Sequence, residues 1–439
     1  MQRLLIITAW YHPFIHPRAH RWTALAEHWA AQGYEVHVVC ARRQGYSRFE
    51  RVNGVQVHRA GFDSLKEIVY YFSGTQSGRG RVGKGVERPS AWMRLANWLY
   101  KTIWKNIYFP DDACLWYFPA RKKAMELLEE QAFDAVITVS LPFTGHLIGL
   151  SVRRRFPALH WLADIGDPFT IQARPLNNAR LYGRLSRRLE QAVLEKADAV
   201  TVTHPAAAAA YRSRFGDLAQ KISIIPPLLH PAWEMEAHDN EWQNPAANPA
   251  DQLINIGYFG AFYAPVRTPD AFLDLLEKTF RLRPDWQSRL RVHFYGEIFP
   301  EFWDKLRRQP AIRLYGLRPR AEVRVAMRQS DILLNIGNLT DYQLPSKAVE
   351  YFASGKPVVN LCYVQNDPFT AFWGNQSGLI TLRAHNDEVS GGEVRRWIAF
   401  LEGERATIPA NARVSRVRAF TVEAVGAAYE YRITNSETF

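Results

Sequence analysis

Short apolar runs alternate with amphipathic stretches along most of the chain, and this alternation predicts strands and helices in turn. Strands that are joined by helical crossovers pair in parallel, so the pattern predicts an α/β protein whose sheets are covered by helices on both faces. The first series of predicted strands lies near residues 3–9, 35–40, 134–139, 159–164, 198–203 and 221–226.

A second series of predicted strands lies near residues 253–259, 291–295, 312–315, 331–336 and, last, 357–361. Between the two series, residues 231–252 lose the periodicity and are rich in Pro, Asn, Ala and acidic residues, which indicates a linker. Residues 73–90, rich in Gly, Ser and Arg, predict a loop. We therefore expect two Rossmann-like doubly wound domains, 1–230 and 253–418, and a final helix within 419–439.

The composition is typical of a globular protein, with 47% hydrophobic and 22% charged residues, and 439 residues suffice for two or three full cores. Cys40, Cys114 and Cys362 are widely separated, which argues against a disulfide framework or a zinc site and favours a reducing cytoplasm. The first strand begins at once, without a secretory signal, and no apolar run approaches the ~18 residues of a spanning helix. We expect a cytoplasmic protein that is soluble or peripheral.

The net charge of +12 is concentrated near the start of the chain, where residues 1–110 hold 16 Lys or Arg against 6 Asp or Glu. Residues 91–108 combine basic side chains with Trp and Leu at helical spacing, which predicts a helix on an anionic membrane surface. The alternative is a helix whose aromatic residues pack into the core. Because no recognition motif for DNA or RNA is present, we expect no nucleic-acid partner.

The most informative segment runs from Gln343 to Val359 and follows the predicted strand 331–336. The chain must turn at the carboxyl end of that strand and enter a helix near Pro345, and open α/β sheets bind ligands at such turns. The free N–H groups of a helix start suit a phosphate. Lys347 would add a positive charge, and Glu350 on the same face would reach sugar hydroxyls. The alternative is an ordinary exposed ion pair three residues apart.

Residues 345–358 resemble a motif of GT-B-fold glycosyltransferases of the family 4 type, Pro-Ser-Lys-x-x-Glu-Tyr-x-Ala-x-Gly-Lys-Pro-Val. The resemblance also covers residues 1–40 and 134–169 and the strands near 197–202 and 221–226, so it spans most of residues 1–435. It implies two Rossmann-like domains that face a central cleft, and a final helix that crosses back to the first domain. It also implies a nucleotide-sugar donor as co-substrate.

The resemblance implies donor contacts for Gly257, Gly260, Arg267, Ser346, Lys347 and Glu350, and substrate contacts for Tyr342 and Gln343. No Asp-x-Asp triplet occurs, so we expect neither a metal nor a cofactor, with protein cations stabilising the leaving diphosphate. The chain departs from the family at three places. Ala261 replaces an Arg, Tyr342 replaces a Glu, and the loop 11–21 replaces a Gly-Gly pair; in that loop, Arg18 is the candidate for an anionic sugar or the acceptor's diphosphate.

The candidates for acid–base chemistry follow strands of the first domain. His146 is expected at or near the start of a helix, where residues of the resembled family approach the reacting sugar or acceptor. Asp164 and Asp167 end the strand near 159–164 and would accept the acceptor's proton in an inverting enzyme, whereas a retaining enzyme needs no such base. The alternative for both carboxylates is capping of the turn at 166–168.

These observations predict a metal-independent hexosyltransferase that moves a sugar from a nucleotide donor to a lipid-linked or polysaccharide acceptor in cell-surface glycan synthesis. Two alternatives stay open. A nucleotide-sugar epimerase on the same scaffold would turn over without an acceptor. A noncatalytic partner subunit would bind nucleotide or glycan without turnover, which the altered positions Ala261 and Tyr342 allow.

Overall fold

A computed structural model of the chain describes residues 2–72, 100–172, 175–231, 233, 253–262, 264, 266–345, 347–403 and 405–434. The predicted loop 73–90, residues 91–99 of the predicted basic helix, nearly all of the predicted linker 231–252, and Ser346 lie outside these ranges. The chain divides into two compact units. Unit 1 runs to Pro227 and resumes at Val422, and unit 2 is Leu228–Thr421.

Unit 1 contains an eight-stranded sheet in the order β3-β4-β2-β1-β5-β6-β7-β8, parallel except for β3. Its strands are β1 (Arg3–Ile7), β2 (Glu35–Cys40), β3 (Phe49–Val52), β4 (Val55–Arg59), β5 (Ala135–Ser140), β6 (His160–Ile165), β7 (Ala199–Val202) and β8 (Ile222–Ile224). Its helices are α1 (Pro17–Ala31), α2 (Leu65–Phe72), α3 (Lys105–Ile107, after a π-helical turn Tyr100–Trp104), α4 (Tyr117–Glu130), α5 (Thr144–Arg155), α6 (Ala179–Lys196) and α7 (Pro205–Phe215).

The strands predicted in the first series are confirmed, but the β3–β4 hairpin was not predicted. Its turn is Asn53-Gly54, and both residues have positive φ, 48° and 84°. Asn-Gly between short alternating strands is a strong hairpin signal, so the sequence carried the information.

Unit 2 contains a seven-stranded sheet in the order β11-β10-β9-β12-β13-β14-β15, parallel except for β15. Its strands are β9 (Ile254–Phe259), β10 (Leu290–Tyr295), β11 (Ile312–Gly316), β12 (Ile332–Ile336), β13 (Val358–Cys362), β14 (Leu379–His385) and β15 (Glu388–Val389). Its helices are α8 (Asp270–Leu282), α9 (Trp286–Arg289), α10 (Pro300–Arg307), α11 (Arg320–Gln329), α12 (Lys347–Ser354), α13 (Pro368–Trp373), α14 (Gly391–Glu402) and α15 (Ala410–Val417).

The first six strands of unit 2 have the 3-2-1-4-5-6 arrangement of a Rossmann sheet, and apolar clusters bury both faces. The prediction that the sheet ends near residues 357–361 was wrong, because β14 pairs in parallel with β13. The pattern of β14 is weak, since polar and apolar side chains are mixed on a strand that lies near the edge of the sheet.

The last helix, α16 (Val422–Thr434), belongs to unit 1 and packs on α1. The Tyr429 ring lies 5.2 Å from the Trp22 ring and 6.2 Å from the Trp29 ring, measured between centroids. All three side chains are fully buried, so α16 contributes to the core of unit 1.

Candidate functional site

The strand order reverses at β9 in unit 2, where β10 lies on one side and β12 on the other. Such a reversal opens a crevice at the carboxyl ends of the strands, and α/β proteins bind ligands there. Helix α12 is the next helix after β12, and Tyr351 holds it against β9 and β12. The Tyr351 hydroxyl donates to Leu334 O in β12 at 3.1 Å and accepts the N–H of Phe259 in β9 at 3.2 Å.

The first turn of α12 carries a buried carboxylate with two cations. Glu350 Oε2 lies 2.5 Å from Lys347 Nζ, and Oε1 lies 2.9 Å from Arg320 Nη2. The Glu350 side chain is 3% exposed, so this is not the ordinary exposed pair that the sequence left open. Burial alone would raise the pKa of Glu350, but Lys347 and Arg320 outweigh it and hold the pKa below the ordinary value.

The charges of this cluster leave a net positive site. Burial lowers the pKa of Lys347, while Glu350 opposes that effect. Burial also lowers the pKa of His230 to about 4, with a further contribution from Arg320, so this imidazole is neutral at pH 7. Two cations against one carboxylate give the cluster one positive charge, which favours an anionic ligand.

Arg267 is held at the carboxyl end of β12 by a chain of polar contacts. Its Nε and Nη2 donate to Oδ1 of Asn338 at 3.1 and 2.7 Å. The Asn338 amide in turn donates to Oε1 of Gln343 at 3.3 Å. Arg267 and Gln343, both predicted site residues, are thus brought together, and the half-buried Tyr342 precedes Gln343 in the same loop.

The two glycines of β9 have different surroundings. A Cβ on Gly260 would lie 2.7 Å from the Tyr258 hydroxyl and 3.1 Å from Arg267 Nη1, so the bare backbone makes room for the guanidinium. Gly257 lies inside β9, where a Cβ would meet Ser330 Oγ at 2.3 Å. The expectation that Gly257 lets a ligand approach is corrected, because its missing side chain accommodates a neighbouring segment of unit 2.

The strand order of unit 1 reverses at β1, between β2 and β5. Arg18, in the first turn of α1, lies 2.9 Å through Nη1 from Asp164 Oδ2 at the end of β6. A Cβ on Gly166 would lie 1.3 Å from Arg18 Nη2, so the guanidinium rests on the bare backbone of that glycine. Two predicted site residues, Arg18 and Asp164, therefore form one buried ion pair.

Asp164 is fully buried and accepts two further hydrogen bonds at Oδ1, from the hydroxyls of Thr201 at 2.8 Å and Tyr429 at 2.6 Å. Arg21 Nη2 donates to the Tyr429 hydroxyl at 2.9 Å. Both oxygens of Asp164 are thus engaged. These contacts fit a residue that positions Arg18, rather than the proton acceptor predicted from the sequence.

His146 lies near the start of α5, as predicted, and is fully buried. Its Nδ1 is 2.8 Å from Thr138 Oγ1, which also accepts from Trp161 Nε1 at 2.8 Å. Nε2 has no hydrogen-bond partner among the residues that the structure describes. Burial lowers the pKa of His146 to about 3, with Asp164 opposing this effect and Arg18 adding to it. The imidazole is therefore neutral at pH 7, and its Nε2 is a buried polar atom.

Asp167 is half-buried in the turn after β6. The backbone N–H of Phe169 donates to Glu190 Oε1 at 3.0 Å, as does the Tyr211 hydroxyl at 2.6 Å. Glu190 also accepts the N–H of Thr170 at 3.2 Å. Glu190 is thus a cap of this turn that the sequence analysis did not anticipate.

The residues missed by sequence reasoning are Arg320, His230 and Asn338 in unit 2, and Thr201, Tyr429 and Glu190 in unit 1. Arg320 had a usable signal, because it opens the helix that follows β11, at the same edge of the sheet as α12. Tyr429 had none, since α16 is separated from Asp164 by most of the chain.

Two kinds of feature are absent from the described residues. None of their helices combines the length and the apolar character that crossing a bilayer requires. Within the same ranges, no three His, Cys, Asp or Glu side chains converge in a way that would hold a metal ion.

Residues 19–227 match the glycosyl transferase 4-like domain family. None of the curated proteins matches the chain in sequence.

Several solved structures have a similar fold. A sucrose-phosphate synthase from Thermosynechococcus elongatus is 15% identical, with TM-score 0.63 over 98% of each chain. An α,α-trehalose-phosphate synthase from Burkholderia vietnamiensis is 12% identical, with TM-score 0.63 over 99% of this chain and 97% of that one. Anabaena HepE, in complex with UDP and glucose, is 12% identical, with TM-score 0.59 over 99% of this chain and 100% of that one.

Proposed function

We propose that the chain transfers a sugar from a nucleotide donor, because it has the GT-B fold and resembles glycosyltransferases of the family 4 type. We expect this sugar to be a hexose. The acceptor we propose is a lipid-linked or polysaccharide glycan of the cell surface. The fold alone specifies neither the donor, nor the acceptor, nor the role of any residue.

The observation that carries the proposal is the cluster of Lys347, Glu350 and Arg320 beside the strand reversal of unit 2. A nucleoside diphosphate leaving a sugar gains negative charge, and preorganised cations at that position lower the barrier. Lys347 and the start of α12 would face the phosphates, and Glu350, held by two cations, would accept hydrogen bonds from ribose hydroxyls. Ser346 is proposed to add its backbone N–H.

Arg267 would supply a second cation to the diphosphate. Its guanidinium is oriented by Asn338 and lies beside the bare backbone of Gly260, so it costs little ordering when the donor binds. Ala261 stands where the resembled family has an Arg, so one phosphate contact usual in that family would be missing here. Tyr342 and Gln343 are proposed to contact the donor sugar.

In unit 1, we assign acceptor-side roles to the residues after β1, β5 and β6. Arg18, fixed by Asp164, would hold an anionic group of the acceptor or of the sugar. The neutral imidazole of His146 would hydrogen-bond a sugar hydroxyl through Nε2, a buried atom without a partner among the described residues. Asp167, which is half-buried, is the better candidate of the two aspartates if the reaction requires a base.

The test begins with a thermal-shift screen against UDP-, GDP-, ADP- and TDP-sugars. The stabilising donor is then supplied in labelled form with a membrane lipid extract, and transfer is measured with and without EDTA. We expect transfer that survives EDTA and falls in Lys347→Met, with Lys305→Met, an exposed lysine of unit 2, as the matched control.

Other outcomes would overturn the proposal. Epimerised donor without any acceptor would show the epimerase, and donor binding without turnover that is indifferent to His146→Gln would show the noncatalytic subunit. Activity that EDTA removes and Mn²⁺ restores would overturn metal independence.

A further inference from the structure

Helix α6 of unit 1 presents an exposed face of leucine and arginine. Its buried residues include Val193 and Leu194, towards its end, whereas its first three turns expose Leu181 (62%) and Leu185 (44%). Beside these leucines, the exposed Arg180, Arg184 and Arg188 follow at intervals of four. We call these five residues the Leu-Arg face. Large apolar side chains that are this exposed together usually mark a contact surface.

A second helical segment lies alongside the start of α6. The Tyr182 hydroxyl donates to Ile107 O at 2.8 Å, and the Tyr182 ring lies 4.9 Å from the Phe109 ring. The side chains of Ile103 and Ile107 are 51% and 52% exposed. Two neighbouring helical segments thus both leave aliphatic side chains uncovered.

The charges of this surface all have one sign. Residues 100–110 and 175–189 contain no Asp or Glu, and Glu190, the next residue, is buried. Within the described part of the chain, none of Arg180, Arg184 and Arg188 forms an ion pair with a carboxylate. The partner of this surface is therefore expected to be anionic.

We propose that the Leu-Arg face binds the surface of an anionic lipid bilayer, with Leu181 and Leu185 in the headgroup region and the arginines on lipid phosphates. A second copy of the chain is disfavoured, because a symmetric contact would bring arginines together. Nucleic acid is disfavoured by the aliphatic side chains, since phosphate contacts use polar groups. The proposal stands independently of the sugar-transfer activity, although it would bring that activity to a lipid-linked acceptor.

The test is cosedimentation of the full chain with vesicles of phosphatidylcholine, with or without phosphatidylglycerol, at low and high salt. We expect binding only to anionic vesicles. Arg184→Gln with Arg188→Gln should weaken it by about 25-fold at low salt, since one basic residue near such a surface contributes about fivefold (~1 kcal/mol). Leu181→Ser with Leu185→Ser should weaken it several-fold even where salt screens the charges.

The matched control removes two exposed arginines from α14, Arg395→Gln with Arg396→Gln, and should bind like the wild type. Equal losses in control and test variants, or equal binding to neutral vesicles, would overturn the proposal. So would tighter binding to a DNA or RNA duplex that depends on the same arginines. Donor hydrolysis is measured separately without vesicles, so failure of the membrane contact and failure of the transferase activity are distinguishable.

Discussion

Tyr429 and Asp164 are separated by 265 positions in the sequence, yet the tyrosine hydroxyl donates to the Asp164 carboxylate at 2.6 Å. Asp164 in turn fixes Arg18 at the strand reversal of unit 1. Burial raises the pKa of Tyr429, so its hydroxyl keeps the proton that it donates. Helix α16 therefore helps to position Arg18, a candidate site residue, through Asp164.

Tyr429→Phe tests this support. It removes a hydrogen bond to a buried charged group and leaves the ring in place, so we expect a loss of about 1.5–3 kcal/mol in the free energy of unfolding, measured in denaturant. Tyr431→Phe is the control, because that side chain is 54% exposed and should change stability by less than about 0.5 kcal/mol. Equal effects of the two substitutions would show that the hydrogen bond from the Tyr429 hydroxyl to Asp164 does not stabilise the fold.

Gly166→Ala tests whether the bare backbone of Gly166 is needed to position the Arg18 guanidinium. The new Cβ would occupy the position of the guanidinium, so Arg18 must leave Asp164, and we expect sugar transfer to fall at least as far as in Arg18→Ala. In Arg18→Ala, adding Gly166→Ala should cost little more, which a double-mutant cycle would measure. The matched control is Gly183→Ala in α6, where no heavy atom lies within 4 Å of the position of the new Cβ. Helix propensity predicts that this substitution raises the free energy of unfolding by up to about 1 kcal/mol.

The sequence predicted the central strands of both units because each is a short apolar run between turn residues. It failed where that signal weakens, at the β3–β4 hairpin and at β14 and β15. The β3–β4 hairpin was recoverable from Asn53-Gly54, since that turn favours positive φ. β14 was harder, because Arg383 and other exposed side chains dilute its apolar pattern.

The candidate site was predictable only as far as its residues are local in sequence. Lys347 and Glu350 share one helical turn, so their pairing followed from spacing alone. Arg320 reaches Glu350 from another helix, and Tyr429 reaches Asp164 from the end of the chain. Such contacts depend on tertiary packing, which local patterns in the sequence do not reveal. They also changed the interpretation of Asp164 from a base to a positioning residue.

Glu350→Gln tests the cation cluster. Removing the carboxylate leaves Lys347 and Arg320 without their shared counter-charge. We therefore expect the free energy of unfolding to fall by an amount towards the lower end of the ~3–5 kcal/mol that is typical of broken buried ion pairs. Nucleotide binding, measured by calorimetry, should weaken if Glu350 holds ribose. Glu322→Gln is the control, since Glu322 forms only an exposed contact with Arg318.

The stability difference between wild type and Glu350→Gln should depend on pH, because folding shifts the pKa of Glu350. The pKa of Glu350 is lowered by folding from its ordinary value of 4.5, so its stabilisation is fully present above pH 4.5 and is lost as the pH falls through the lowered pKa. The stability difference between wild type and Glu350→Gln should therefore be constant near neutrality and shrink below pH 4.5. A difference that persists unchanged to pH 2 would contradict the assigned ion pairs.

The low proton affinity of His146, together with an Nε2 that has no partner among the described residues, points to one role for its imidazole. Folding lowers its pKa from 6.5 to about 3, so protonation favours the unfolded chain, and stability that is complete above pH 6.5 declines as the pH falls towards 3. His146→Gln should remove this part of the decline. If the neutral imidazole binds a sugar hydroxyl through Nε2, the same substitution should lower transfer by about tenfold or more without moving the pH profile. NMR of the ring, assigned by its disappearance in His146→Gln, should show no titration between pH 5 and 8. A ring that titrates near 6.5, or a profile whose limb shifts with the substitution, would instead make His146 a proton carrier.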